Sequence, residues 1–244
     1  MKRFYNEKLE PDSKFFTLTG KEAHHLKNVM RIKPGETVIF TNGKGLDFKA
    51  YIESIENNII NFSVTECIKG EKDSFLNLSI GFSIIKGKKN DELIKPLTEL
   101  GVTEIIPLVS TRTVSDPGEK KKSNKTARWR EISKEAIKQC ERSFLPNICE
   151  ISDFKEIISS AENYDLKILL YERGDISIKT LKEKYNNPKN VLLITGPEGG
   201  FTDDEVKAAE LNGFEKITMG PRILRAETAV LSSCVVCQHL FGDI

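Results

Sequence analysis

The sequence predicts an α/β protein with a small β-rich domain followed by a larger domain built on a mainly parallel sheet. Residues 1–67 contain one short helical pattern and three β-rich runs separated by Asn-Gly and Asn-Asn turn signals. From residue 76 onward, hydrophobic runs typical of strands alternate with segments typical of helices, which favours parallel βαβ crossovers. The length of 244 residues suffices for one large domain or two modest ones, and two are predicted.

In the first region, a helix is predicted over residues 21–30. Three strand-like runs follow, TVIFTNG at 37–43, KGLDFKAYIESI at 44–55 and NNIINFSVTEC at 57–67. Together they predict a small β-barrel or sandwich. The polar segment IKGEKDS at 68–74 is the predicted linker.

In the second region predicted strands and helices alternate, except that the strands at 166–172 and 191–196 follow each other directly. Its predicted strands cover residues 76–85, 104–110, 166–172, 191–196 and 214–220. Its predicted helices cover residues 91–101, 127–141, 203–213 and 226–241. The helix at 91–101 has apolar residues at helical spacing and is interpreted as a packing helix, and the apolar helix at 226–241 is interpreted as buried.

Composition excludes several classes of protein. The 37 Lys and Arg residues nearly balance the 36 Asp and Glu residues, so affinity for nucleic acid would have to come from local basic patches. No apolar run approaches the roughly 20 residues that a membrane span needs. The N-terminal MKRFYNEKLE lacks the apolar core of a signal peptide, which favours a cytoplasmic protein.

The five cysteines, an odd number at irregular positions, fit a reducing compartment and not a disulfide framework. Cys234 and Cys237 form a CxxC pattern, but no second pair follows it. Buried core cysteines are therefore favoured over a zinc or redox site. No metal site is predicted.

The stretch NVLLITGPEGGFTDDEV at 190–206 is typical of a strand, a glycine-rich loop and a helix start, an arrangement that often binds phosphate. Pro197 has no N–H to donate, and Glu198 places a carboxylate where the phosphate would lie. Thr202 and Glu205 form a predicted capping box, so the helix already satisfies some of its own donors. A cationic or neutral ligand fits better, and the alternative is that the glycines only allow a sharp turn.

A second loop, MGPRILRAETA at 219–229, follows the next strand, and LLYERG at 169–174 follows a third. In a parallel sheet these loops fall at the carboxyl ends of strands, where open α/β folds bind ligands. Arg222 and Arg225 flank the apolar Ile223 and Leu224, which could offer backbone groups and apolar walls to a flat ring. Taken singly, each arginine could equally be a surface charge.

These loops belong to a longer series of motifs. GPEGGF at 196–201 and MGPRILRAETA at 219–229 are accompanied by HHLKNVMRIKPGETVIFTNGKG at 24–45, KPLTELGVTEIIPLVSTRTV at 95–114 and RWREISKEAIKQCERSFLPNI at 128–148. In this order they resemble the RsmE family, the 16S rRNA (uracil-N3)-methyltransferases of the SPOUT superfamily. Five separated motifs covering most of the chain are far more specific than any one of them.

The resemblance implies an RNA-binding, PUA-like β-barrel in residues 1–70 and a SPOUT methyltransferase domain in residues 75–244. It also implies a C-terminal trefoil knot around the mainly parallel sheet, in roughly residues 166–244, although knots are rare exceptions among folds. SPOUT enzymes are typically homodimers with the active site near the interface. The apolar helix at 226–240 is therefore expected to bury itself in the knot and against a partner.

The resemblance implies S-adenosylmethionine as the cofactor, held bent by three loops. Its sulfonium cation and lack of phosphate agree with Pro197 and Glu198. Carried onto this chain, the implied cofactor-binding residues are Leu170, Tyr171, Glu172, Thr195, Gly196, Pro197, Gly199, Gly200, Met219, Gly220, Ile223, Leu224, Thr228 and Ala229.

The implied reaction places a methyl group on N3 of a uridine in 16S ribosomal RNA. Much of the acceleration is expected from positioning the two substrates. Arg225 and Arg142 are the candidates for stabilising charge on the uracil oxygens, and Glu198 is the candidate proton acceptor or orienting group. The family often has QSGR at positions 139–142, where this chain has Cys140 and Glu141 in place of Ser and Gly.

The implied partner is 16S rRNA or the assembled 30S subunit, with no membrane partner. Candidate RNA contacts are Lys27, Arg31, Lys44, Arg112, Arg128, Arg222 and the basic stretch at 120–130, which on its own is more typical of a solvated loop than of an RNA contact. His24 and His25 could contact RNA or pack at the helix start.

Two alternatives stay open. The chain could be another SPOUT methyltransferase that acts on a different RNA or on a ribose 2′-oxygen, or a catalytically silent RNA-binding factor in ribosome assembly. Retention of the full GPEGGF and RILRAETA stretches argues against the silent alternative.

Overall fold

The computed structural model describes residues 1–113 and 119–244, with side chains described from residue 122 onward in the second range. The chain divides into two compact units. One consists of Met1–Asp73 together with Ile137–Leu145, and the other of Ser74–Ala136 together with Pro146–Ile244.

The N-terminal unit is built on a five-stranded sheet and one helix. Its elements are β1 (Arg3–Tyr5), β2 (Phe15–Thr19), α1 (Gly20–Asn28), β3 (Thr37–Thr41), β4 (Leu46–Glu56) and β5 (Ile59–Lys69). The strand order is β1-β3-β4-β5-β2, antiparallel except where β1 runs parallel to β3. The core is aromatic: Phe16 stacks on Phe62 with ring centres 4.7 Å apart, and Phe40 meets both rings edge-on.

Two features of this unit differ from the sequence interpretation. The strand β5 continues to Lys69, because Ile68 and Lys69 pair with Asp47 and Leu46, so the first two residues of the predicted linker belong to a strand. Residues from the predicted helix at 127–141 and the chain just after it return to this unit. There, Leu145 donates its amide to the carbonyl oxygen of Gly43 at 2.9 Å.

The C-terminal unit contains eight strands in one sheet among the described residues. They are β6 (Asn77–Ser83), β7 (Glu104–Val109), β8 (Asn147–Ile148), β9 (Ser152–Asp153), β10 (Leu166–Leu170), β11 (Ile176–Ser177), β12 (Asn190–Thr195) and β13 (Glu215–Thr218). The order is β11-β13-β10-β12-β6-β7-β8, with β9 beside β7, and every pairing is parallel. The predicted mainly parallel sheet is confirmed.

The remaining helices are α2 (Lys89–Glu99), α3 (Glu119–Cys140), α4 (Phe154–Ser159), α5 (Leu181–Lys184), α6 (Asp203–Leu211) and α7 (Ala226–Phe241), with short 3-10 turns at Ala161–Asn163 and Ile178–Thr180. Helices cover the sheet, which explains why the central strands β6 and β12 are buried along nearly their whole length. No helix in the described ranges is long and apolar enough to cross a membrane.

The helix α7 packs on α2, β6 and β12. Cys234 and Cys237 lie on its buried side and are fully inaccessible, so the expectation of core cysteines is confirmed. Burial raises the pKa of the Cys237 thiol to about 12, which keeps it a neutral, apolar packing group.

Candidate functional site

Three loops form a cavity of about 550 Å³ in the C-terminal unit. They follow β10, β12 and β13, which are neighbours in the order β13-β10-β12 and run in the same direction. All three loops therefore lie at the carboxyl edge of the sheet, the usual ligand edge of an open α/β fold. The volume falls within the range of roughly 300 to 1,000 Å³ typical of small-molecule sites.

Most residues predicted to hold the cofactor are brought together here. The cavity is lined by Leu170, Tyr171, Glu172, Thr195, Gly196, Pro197, Gly199, Gly200, Met219, Gly220, Ile223, Leu224 and Ala229. Thr228 is not among the described residues that line it, and its side chain is exposed in the first turn of α7. Two predicted catalytic residues, Glu198 and Arg225, also line the cavity, as does the predicted RNA contact Arg222.

The loop after β12 is folded by its own glycines. Gly200 donates its amide to the carbonyl oxygen of Pro197 at 2.9 Å and has a φ of +68°, a backbone conformation that favours glycine. A β-carbon on Gly196 would lie 3.1 Å from the ring of Phe201. The shape of the loop therefore depends on the close approach of the Phe201 ring to the backbone of Gly196 as well as on turn geometry.

The helix α6 that follows this loop satisfies its own N-terminus. The Thr202 hydroxyl accepts from the Glu205 amide at 3.2 Å, and the Thr202 amide donates to the Glu205 carboxylate at 2.8 Å. The other carboxylate oxygen of Glu205 accepts from the Thr111 amide at 2.8 Å. The predicted capping box is thus present, and these donors and this carboxylate are already used inside the protein.

Arg112 supports the same loop. Its guanidinium donates to the carbonyl oxygen of Gly199 at 2.9 Å and more weakly to that of Phe201 at 3.4 Å. A β-carbon on Gly199 would lie 3.2 Å from the β-carbon of Arg112. The structure therefore places this predicted RNA contact against the backbone of the cavity loop.

The loop after β10 passes directly over the end of β13. A β-carbon on Gly174 would lie 2.7 Å from the carbonyl carbon of Ile217, 2.8 Å from the amide nitrogen of Thr218 and 2.9 Å from the carbonyl oxygen of Lys216. All three are backbone atoms, which cannot move aside as a side chain could. In the sequence, the only signal for this contact is the Arg-Gly pair after a strand, which is compatible with a close approach of two backbones.

The loop after β13 exposes its side chains. Ile223 is 85% exposed, and Arg222 and Arg225 are exposed on either side of the Ile223–Leu224 pair. Arg225 is the residue that precedes α7, and its carbonyl oxygen accepts the amide of Ala229 at 2.8 Å. The backbone of Arg225 is therefore fixed by the helix, while its side chain is exposed at the cavity.

An ion pair that the sequence analysis missed also lines the cavity. The Lys89 ammonium lies 2.9 Å from the Glu227 carboxylate, and the two residues sit near the starts of α2 and α7. A hydrogen bond from its own backbone N–H, followed by the Lys89 ammonium, holds the pKa of Glu227 below its usual value, so this side chain is a carboxylate at neutral pH.

Arg142 lies elsewhere, in the N-terminal unit. Its side chain is 3% exposed, and Nε donates to the Asp73 carboxylate at 2.8 Å. The other oxygen of Asp73 accepts the amides of Ser143 at 3.0 Å and Phe144 at 3.1 Å. This arrangement does not support the predicted contact with substrate, because the guanidinium is enclosed in a structural ion pair.

The remaining RNA candidates are spread over both units. In the N-terminal unit, the Lys27 ammonium donates to the carbonyl oxygen of Asn57 at 3.1 Å, Lys44 pairs with Glu10 at 2.7 Å, and Arg31 is exposed with a φ of +50°. In the C-terminal unit, Arg128 pairs with Asp91 at 2.9 Å.

The remaining residues considered for RNA contact are the basic stretch at 120–130 and the two histidines of α1. Residues 120 and 121 of the predicted basic stretch have side chains outside the described residues. His24 and His25 are exposed on α1, and Asn28 lies 3.0 Å from the His24 ring. Among the described residues, no group of three or more His, Cys, Asp or Glu side chains is placed to hold a metal ion.

Comparison with known proteins gives two family matches. Residues 72–238 match the model of an RNA methyltransferase domain, and residues 18–65 match that of an RNA methyltransferase PUA domain. The second match confirms the expected N-terminal PUA domain.

Relatives match along nearly the whole chain. "Ribosomal RNA small subunit methyltransferase E" of Mesomycoplasma hyopneumoniae is 33% identical over 235 residues, which cover 96% of this chain and 97% of the relative. The protein of the same name from Bacillus subtilis is 31% identical over 221 residues, which cover 88% of this chain and 86% of the relative.

Solved structures are also similar to this chain over its whole length. Ribosomal RNA small subunit methyltransferase E of Neisseria gonorrhoeae, bound to S-adenosylmethionine, is similar with a TM-score of 0.89 and 28% identity, over 100% of this chain and 99% of that one. A putative methyltransferase from Legionella pneumophila in complex with S-adenosylmethionine gives a TM-score of 0.89 and 27% identity over the same shares.

Proposed function

This chain belongs to the ribosomal RNA small subunit methyltransferase E family, and we propose that it transfers the methyl group of S-adenosylmethionine to N3 of a uridine in 16S ribosomal RNA. The single observation that carries the proposal is the cavity built from the loops after β10, β12 and β13. It gathers the motif residues at the ligand edge of the sheet, in a chain that is similar along its whole length to structures solved with this cofactor.

The residues that line the cavity fit S-adenosylmethionine better than a phosphate-bearing nucleotide. Pro197 has no amide hydrogen, and Thr202 and Glu205 already cap α6, so the loop after β12 lacks a ready anion site. Leu170, Leu224 and backbone groups of the loops supply apolar walls and hydrogen bonds suited to an adenine ring. Bound there, the cofactor would supply an electrophilic methyl group on a sulfonium cation.

The protein's own residues position the uracil, stabilise the charge that develops on it and accept its proton. Attack by N3 requires loss of the imide proton, and negative charge develops on the ring oxygens. The exposed guanidinium of Arg225 stabilises that charge. Removing one such donor from an enzyme typically lowers kcat by about 10²- to 10³-fold. Glu198, exposed on the loop after β12, accepts the proton or orients the ring.

RNA binding is assigned to exposed basic groups in both units. Arg222 lies at the cavity, and Lys27 and Arg31 are exposed on the N-terminal unit. Lys44 is paired with the exposed Glu10, a pair that contributes little free energy and exchanges readily for phosphate, and the side chain of Arg128 is 65% exposed beside Asp91. Arg112 belongs to the cavity loop in this proposal, and Arg142 is not retained as a substrate contact.

The assembly and the chain path are also part of the proposal. We infer a homodimer in which α7 meets a partner, because SPOUT enzymes, which this chain resembles, are typically homodimers with the active site near the interface. The trefoil knot stays a prediction, supported by the pairing of β13 with β10 and by the close passage over Gly174. A ribosomal RNA substrate agrees with the expected cytoplasmic location.

The test is a methyl-transfer assay with identification of the product. The protein is incubated with S-[methyl-³H]adenosylmethionine and either 16S rRNA or 30S subunits that lack the modification, and the labelled nucleoside is identified after digestion. Label in 3-methyluridine is the expected result. Label in a ribose methyl group would select a different methyltransferase, and RNA binding without transfer would select the silent assembly factor.

A further inference from the structure

Lys89 and Glu227 occupy a position in the cavity that the three loops do not explain. Both side chains line it, but they come from the first turns of α2 and α7 and not from the loops after the strands. Their charged groups lie 2.9 Å apart, with 43% of the Lys89 side chain and 27% of the Glu227 side chain exposed. An ion pair exposed to this degree contributes little to folding.

The pair has unused capacity to bind a ligand. The Lys89 ammonium has three donors, of which Glu227 Oε1 uses one. Glu227 Oε2 is buried and receives no donor from another described residue. A buried carboxylate oxygen without such a partner costs free energy, which a donor on a ligand would recover.

The chemistry of the pair matches one end of the proposed cofactor. An amino-acid end carries an ammonium and a carboxylate on the same carbon, so it is recognised by a carboxylate and a cation held side by side. We propose that Lys89 and Glu227 bind the amino-acid end of S-adenosylmethionine, with Lys89 facing the carboxylate and Glu227 facing the ammonium. This inference rests on the proposed function, because it names residues for one part of that cofactor.

A purely structural role makes a different prediction. Glu227 stands in the first turn of α7, where a negative charge stabilises the helix, and Lys89 would then be only its counterion. In that case removal of Lys89 would affect all ligands of the cavity alike, through stability. In the recognition role, only ligands that carry the amino-acid end are affected.

Calorimetric titration with two probes separates these roles. S-adenosylhomocysteine and 5′-methylthioadenosine share the adenosine and the thioether sulfur, but only the first has the amino-acid end. We expect Lys89→Met to weaken binding of S-adenosylhomocysteine about 10- to 100-fold and binding of 5′-methylthioadenosine less than about twofold. The matched control is Lys95→Met on the same helix, whose partner is Glu99 at 3.8 Å and which does not line the cavity; we expect it to change neither affinity.

A charge-swapped variant, Lys89→Glu with Glu227→Lys, keeps an ion pair but reverses its direction. If the pair recognises the amino-acid end, S-adenosylhomocysteine still binds weakly while 5′-methylthioadenosine binds as to the wild type. Equal loss for both probes in Lys89→Met, or recovery of S-adenosylhomocysteine binding in the swapped variant, would overturn the inference. Failure of the wild-type protein to bind either probe would instead contradict the proposed cofactor.

Discussion

The contact between the loop after β10 and the end of β13 gives a quantitative prediction for Gly174→Ala. The new β-carbon would lie 2.7 Å from the nearest backbone atom, about 0.7 Å inside ordinary van der Waals contact at 3.4 Å. Because the neighbours on β13 are backbone atoms, the loop itself has to move. Overpacking of this kind costs about 1 to 3 kcal/mol.

Two measurements follow this variant. Each kcal/mol lowers Tm by about 2 to 4 °C for a chain of this size, which scanning fluorimetry detects. Since Tyr171 and Glu172 of the displaced loop line the cavity, we also expect calorimetry to show weaker binding of S-adenosylhomocysteine, by about 10-fold or more for a loop shifted by this distance.

The control is Gly20→Ala in the N-terminal unit. Gly20 has a φ of +67° and open space around its β-carbon position, so alanine is strained by about 1 to 2 kcal/mol without a clash. We expect this variant to lose stability but to keep its affinity for S-adenosylhomocysteine. The reasoning is refuted if Gly174→Ala retains both the Tm and the affinity of the wild type, or if the two variants lose affinity equally.

Three further variants test other parts of the account. Arg225→Ala is expected to lower the rate of methyl transfer about 10²-fold or more with an unchanged Tm, since the guanidinium is exposed; near wild-type turnover would remove Arg225 from the reaction. Gly196→Val is expected to weaken S-adenosylhomocysteine binding, because a β-carbon there already lies 3.1 Å from Phe201, and unchanged affinity by calorimetry would exclude this loop from the site. Asp73→Asn removes the negative charge that faces the buried Arg142 at 2.8 Å and is expected to cost about 3 to 5 kcal/mol of stability in urea unfolding; a loss below about 1 kcal/mol would contradict the structural role given to this pair.

The sequence was most informative where function is carried by short, local motifs. The glycines and the capping box of the loop after β12 could be recognised from the letters alone, because turns and caps depend on residue type over a few positions. The parallel sheet was also predictable, since strand and helix patterns alternate regularly. The strand order β13-β10-β12 could not be predicted, because pairing between distant strands leaves no local signal in the sequence.

The features of the site that the sequence did not reveal have the same physical origin, contacts between distant parts of the chain. Lys89 begins a helix that was interpreted as a packing helix, and its partner Glu227 is 138 residues away, so only the fold brings them together. Arg142 was predicted to contact the substrate because a polar residue in a motif fits that role, and the sequence did not indicate that its side chain is buried. Its burial beside Asp73 depends on the return of residues 137–145 to the N-terminal unit, which no periodicity indicates.

Arg112 shows why the role of an exposed basic residue is difficult to predict from sequence. Sequence cannot separate an arginine that meets RNA from one that holds a loop, because both are charged and lie near a surface. In the structure Arg112 holds the loop through a hydrogen bond of 2.9 Å to the carbonyl oxygen of Gly199, and its contact with RNA stays a prediction. For Arg222, which has the same residue type and also lies at the cavity, the RNA proposal stays in place.

The central claim is that three loops at the carboxyl edge of the sheet hold S-adenosylmethionine. Hydrogen–deuterium exchange of the full chain, measured with and without a saturating concentration of the cofactor, tests it most directly. We expect slower exchange in three separate segments, residues 170–174, 195–201 and 218–229, with no change in the strands of the N-terminal unit. Protection confined to other segments, or no protection in any of these three, would contradict it.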